Sequence, residues 1–150
     1  MTCCARCGFD PHALIAARWE FTVPLEIQSG NDHVVNAPRG KGRARWARSG
    51  AYKQRRVQWQ TAVRVQGRYV TQAASGGSLA NRRRVTVTRV YSGRQRELDR
   101  DNLYAGAKVA VDALKHCGVI VDDRREWCEL HVVQERGAER GTRFLIEELG

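Results

Sequence analysis

A chain of 150 residues with a 42% apolar share is long enough to bury one core and short for a second domain. Lys and Arg outnumber Asp and Glu by 26 to 16, and the net charge of +10 favours a polyanionic partner. No apolar run approaches the ~18 residues of a membrane span, no basic-then-apolar leader opens the chain, and five cysteines without such a leader point to reduced thiols and a cytoplasmic setting.

Residues 1–17 form a cysteine-bearing segment ahead of a main domain over 18–150. Cys3, Cys4, Cys7 and His12 match a tetrahedral zinc set in kind, although zinc modules space two ligand pairs across a longer loop; the alternative is an apolar or frayed terminus. Residues 18–27 alternate, so they predict a strand with Trp19, Phe21, Val23, Leu25 and Ile27 on one face and an edge or early end at Pro24. From 28 to 48 the composition turns to Gly, Asn, Arg and Lys without a period, which describes an exposed basic loop.

Ser49 is placed to cap a helix that runs to Gln66, with Gly67 as its stop. Tyr52, Trp59, Ala62 and Val63 share a face of it, while Lys53, Arg55, Arg56 and Arg64 decorate others, either as a solvated face or as contacts to backbone phosphates. Residues 67–80, rich in Gly, Ser and Ala, read as a flexible connection. The β-branched alternation of 81–91 predicts a strand, led by Arg82, Arg83 and Arg84, the sharpest positive cluster in the chain.

After a turn at 92–96 comes a helix over 102–117 with Leu103, Ala107, Ala110, Val111 and Leu114 as its buried stripe and Gly118 as its left-handed stop. Residues 118–121 read as a short apolar strand that ends in Asp122 and Asp123. A strand over 127–135, a hairpin turn over 136–141 and a last strand over 142–149 follow. The expected fold is α+β, a single domain with a mixed sheet of about four to five strands packed with two main helices.

The segment from Glu97 to Arg125 concentrates Asp99, Asp101, Asp112, Asp122 and Asp123 in an otherwise basic protein. Crowded carboxylates repel one another and raise each other's pKa. A divalent cation removes that cost, and hard oxygen ligands suit Mg²⁺ or Mn²⁺. Asp99 and Asp101 are one residue apart, so in an extended segment both point the same way and can share an ion. Positions seven and eleven apart on a helix return to within about 20° of each other, which places Lys108 and Asp112 on the face that begins at Asp101. Asp122 and Asp123 point oppositely if extended, so one of them faces the ion. A cation held by carboxylates among Arg and Lys suits phosphoryl transfer on nucleic acid, with Lys108 neutralising developing charge. The same spacing also makes Lys108 and Asp112 an ordinary i, i+4 ion pair.

Leu-Asp-Arg-Asp-Asn-Leu, then Lys108, then Asp112-Ala113-Leu114, then Gly118-Val119-Ile120-Val121-Asp122-Asp123, resembles the core motif of the RusA family of Holliday junction resolvases. Those are small dimeric Mg²⁺-dependent endodeoxyribonucleases of phages and bacteria. The resemblance covers Leu98 to Asp123. It implies a RusA-like fold, metal ligation by Asp99, Asp101 and Asp123, an essential lysine at Lys108, a branched DNA substrate, a homodimer, and a bacterial or phage origin. Between the Asp-x-Asp-Asn element and the lysine this chain carries about three residues more than the family pattern, nearly one helical turn, which leaves the lysine on the same face. Arg82, Arg83, Arg84, Lys53, Arg55 and Arg56 are the expected phosphate contacts. The rival reading is a non-catalytic nucleic-acid-binding protein whose acids cap a helix and pair with arginines.

Overall fold

The computed structural model describes residues 15–30, 43–70 and 82–150, excepting the side chains of 16 and 43–49. The candidate zinc ligands Cys3, Cys4, Cys7 and His12 and most of the basic loop lie outside the described residues. Alternation in the first pattern produces β1 (Ile15–Val23), which starts earlier than expected and ends at Val23. Pro24 has no N–H to give to a ladder. Ile27 nevertheless reaches the core beyond the end of the strand. The first long helix, α1 (Arg43–Gln66), begins ahead of Ser49 and buries Trp59 and Val63. One further helical turn, 68–70, brings Val70 into the core.

β2 (Arg83–Tyr91) leads through 92–99 to α2 (Arg100–His116), followed by β3 (Cys128–Arg136) and β4 (Gly141–Leu149). The four strands form one mixed sheet in the order β1-β4-β2-β3. β2 and β3 run parallel, with α2 as the crossover that parallel neighbours require. β4 is antiparallel to both β1 and β2. Among the described residues the fold is therefore α+β, one four-stranded sheet with two long helices.

Two expectations are corrected. β3 and β4 do not form a hairpin, because β2 lies between them. Residues 137–140 instead cross the end of β2, where the Gly137 N–H donates to the Tyr91 carbonyl at 2.9 Å. β2 is buried along nearly its whole length, whereas the C-terminal half of β3 is largely exposed. β2 is paired on both sides and buried, whereas β3 is paired on one side and leaves Val133, Glu135 and Arg136 open to water at the edge.

Residues 118–121 are not a strand. Gly118 has φ +73°, its N–H donates to Lys115 O at 3.1 Å, and the Val119 N–H reaches back to Leu114 O at 2.9 Å. Those paired bonds close α2 as a Schellman cap, whose apolar companion after the glycine packs back onto the helix. Val119 and Ile120 are buried for that reason.

The core lies between the sheet and both helices. Phe21 stacks on Phe144 at 5.0 Å between ring centroids, and Trp59 meets Phe144 edge-on at 6.3 Å. All five stripe residues expected on α2 are buried, together with Gly106, Val109 and Ala113. A Cβ at Gly106 would lie 1.8 Å from the carbonyl oxygen of Gln28, so only glycine lets that chain cross the helix.

Candidate functional site

The acids stand at the two ends of α2. At the N-terminal end Asp99 is the N-cap, as short polar side chains prefer to be. Its Oδ1 accepts the Asn102 N–H at 3.0 Å and its Oδ2 accepts from the Asn102 amide. The Asn102 N–H, and then the Asn102 amide, hold the Asp99 carboxyl below its ordinary range. Asp101 lies in the first turn, exposed, and its carboxylate makes no ion pair with any described residue. Beside it the Arg100 guanidinium lies 5.8 Å from the Tyr104 ring centroid.

At the C-terminal end Lys115 reaches Asp122 at 2.7 Å and Asp123 at 3.9 Å, and Arg124 meets Asp122 at 3.2 Å. Asp122 also accepts the Asp123 N–H at 2.8 Å. Chiefly through the Lys115 hydrogen bond, the Asp122 carboxyl is lowered to about 2, and the same bond raises the Lys115 ammonium above its ordinary value. Midway along the helix Lys108 pairs with Asp112 at 3.4 Å, both side chains open to water. The i, i+4 pair foreseen from spacing is formed, and in this arrangement Lys108 is engaged with a carboxylate.

In kind, these carboxylates suit a hard divalent ion. In position, within one chain, they do not. α2 has 17 residues and is therefore about 25 Å long. Asp122 and Asp123 are bound to its last turn, so on the order of 10 Å or more separates them from Asp99 and Asp101. An ion with ligands at about 2.1 Å spans no such gap. Among the described residues no three His, Cys, Asp or Glu side chains are grouped to hold a metal ion. Within one copy the two acid sets therefore stand at opposite ends of α2.

The expected phosphate contacts divide in two. Lys53 and Arg56 are exposed on α1, and Arg55 is half-buried. Arg83 and Arg84 are not available at the surface. Arg83 is 2% exposed, pairs with Glu148 at 3.2 Å, donates to Val119 O and lies over the Trp19 ring. Arg84 pairs with Glu129 at 3.0 Å and lies 3.9 Å from Glu147. Successive strand residues face opposite sides of the sheet, and each side of β2 holds glutamates that receive one arginine. Arg82, just before the strand, is half-buried.

Sequence reasoning did not single out Lys115. The signal was present, since Lys115 stands seven residues after Lys108, the same spacing that linked Asp101 to Lys108. A groove between α1 and α2, bordered by Arg56 and Asp112, was also not foreseen. No described helix is long and apolar enough to cross a membrane. No protein-family model and no curated protein matches this chain.

Proposed function

We propose that this protein is a Mg²⁺-dependent endodeoxyribonuclease, with Mn²⁺ as an alternative ion, that hydrolyses phosphodiester bonds in branched DNA such as a Holliday junction, in recombination and repair, as the RusA resemblance implies. The observation that carries the reading is Asp101. In a chain with 26 Lys and Arg it stays exposed and forms no ion pair with a described residue, one position from Asp99. A carboxylate left in that condition among so many cations is available to a divalent ion. Because the two acid sets bracket one helix, they meet only if two copies lie with their α2 helices antiparallel, so that Asp99 and Asp101 of one approach Asp122 and Asp123 of the other. A twofold dimer of that kind holds two equivalent sites, as symmetric incision of a four-way junction requires.

The rival reading, a non-catalytic DNA-binding protein, is favoured by the local partners of Asp99, Asp112 and Asp122, each of which has a structural use. Incubation with a labelled synthetic four-way junction, in Mg²⁺ and in EDTA, decides between them. Cleavage in Mg²⁺ alone, lost in Asp101→Asn with junction binding retained, supports the nuclease. Binding without cleavage in either condition supports the rival.

A further inference from the structure

α1 carries seven Lys and Arg in its 24 residues and neither Asp nor Glu. The acid-free stretch is longer still, since no acidic residue occurs between Asp32 and Glu97. Surface helices ordinarily balance cations with carboxylates one turn away. This helix supplies none of its own.

Trp59 and Val63 turn one side of α1 into the core. At about 100° per residue the opposite side consists of Gln54, Val57, Thr61 and Val65, with Gln58 beside them, and all five are exposed. Val57 at 59% and Val65 at 56% are among the most open apolar side chains of the described residues. Lys53 and Arg64, also exposed, lie along the flank of this strip that turns towards α2, Arg64 beside the Cys117 thiol. The strip itself is thus uncharged, with amide, hydroxyl and methyl ends, and one border of it is cationic.

An α-helix with its side chains is about 10–12 Å across, which is the width of the major groove of duplex DNA. The ends on the strip are of the kinds that base edges accept there: glutamine amides pair with adenine, a threonine hydroxyl serves any base, and methyl groups meet the thymine methyl. Charge decides against a second copy of α1 as the occupant, because that packing would set cations against cations. We propose that the outward side of α1 docks in the major groove of a duplex arm, with Gln54, Gln58 and Thr61 towards the base edges and Lys53 and Arg64 towards the phosphates of one strand. The inference rests on the reading of branched DNA as substrate and names the surface that holds an arm of it.

Fluorescence anisotropy of the full chain with a labelled 20-base-pair duplex, in EDTA, tests it. Thr61→Glu and Val133→Glu lower the net charge equally, but Val133 lies on the edge strand β3 and points the other way from the buried Val132. Thr61→Glu is expected to weaken duplex binding by roughly tenfold or more, because it sets a carboxylate against the DNA, and Val133→Glu by about twofold or less. Both sites are exposed, and thermal melting checks that both variants fold. Lys53→Gln is expected to reduce the slope of the salt dependence by about one. The same duplex carrying glucosylated 5-hydroxymethylcytosine, whose sugars fill the major groove, is expected to bind roughly tenfold more weakly. Equal weakening by Thr61→Glu and Val133→Glu overturns the proposal, since net charge is then sufficient. Unchanged affinity for the glucosylated duplex overturns it too, even if Lys53→Gln is weakened, because phosphate contacts alone then account for binding. Absence of duplex binding by the parent does so as well and leaves the face to an acidic protein. Cleavage of a four-way junction in Mg²⁺ is read separately, so failure of the nuclease reading leaves the docking result intact.

Discussion

Arg83 keeps its guanidinium at 2% exposure because three groups meet it: the Glu148 carboxylate, the Val119 carbonyl and the Trp19 ring. Removing a partner from a buried ion pair strands the other charge, which costs more than the pair itself contributes. Arg83→Met is therefore expected to lower stability by about 3 kcal/mol in urea unfolding, with no direct effect on DNA affinity in the fraction that remains folded. A loss of affinity at unchanged stability would return Arg83 to the DNA-contacting set. Asp122 makes a second prediction at this scale. Its carboxyl is lowered to about 2 by Lys115, below the ~3.9 of an unfolded aspartate. The stability it contributes is thus complete above about pH 4 and disappears as pH falls towards 2. In Lys115→Met the Asp122 carboxyl should titrate nearer its ordinary value, followed by carbon NMR of the side chain, and the stability difference from the parent should shrink over that same interval.

At the level of the helix, Asp99 has two separable uses. As the N-cap of α2 it accepts the Asn102 N–H, and Asp99→Ala should cost about 1 kcal/mol of stability by thermal unfolding. Asparagine caps as well as aspartate but carries no charge. Asp99→Asn should accordingly keep the melting temperature of the parent while losing cleavage if the carboxylate binds an ion. Retained cleavage would leave Asp99 a cap and nothing more. Gly106 illustrates the packing side of the same helix. Because a Cβ there would sit 1.8 Å from the Gln28 carbonyl oxygen, Gly106→Ala must push the 25–30 segment off α2 and should destabilise by about 1–3 kcal/mol.

At the scale of the whole molecule, the separation of the acids makes the assembly testable. If each centre combines Asp101 of one copy with Asp123 of another, Asp101→Asn and Asp123→Asn homodimers should both be inactive. Mixing them should restore up to about half the cleavage per heterodimer, because one of the two centres then carries both native aspartates. No recovery on mixing, with exchange of subunits verified by mass, would exclude the shared centre. Junction affinity should also fall steeply with salt, since each neutralised phosphate releases counterions. The long-range field that attracts a polyanion comes from the net charge of +10 and survives the burial of Arg83 and Arg84.

Patterns that depend on near neighbours in the chain were legible without coordinates. The α+β class, the extent of α2, its buried stripe from Leu103 to Leu114, the glycine stop at Gly118 and the Lys108 to Asp112 pair all follow from periods of 2 and 3.6 and from local capping chemistry. What lay beyond that reach were relations between distant segments. That β2 enters between β3 and β4, that residues 118–121 serve as a cap and not a strand, and that Arg83 and Arg84 turn inward to Glu148 and Glu129 are decided by which surfaces bury best together. Hydrophobic burial is non-directional and sums over the whole core. A local run of charge or apolarity states what a segment prefers, and only the packed sheet and helices determine which neighbour satisfies it.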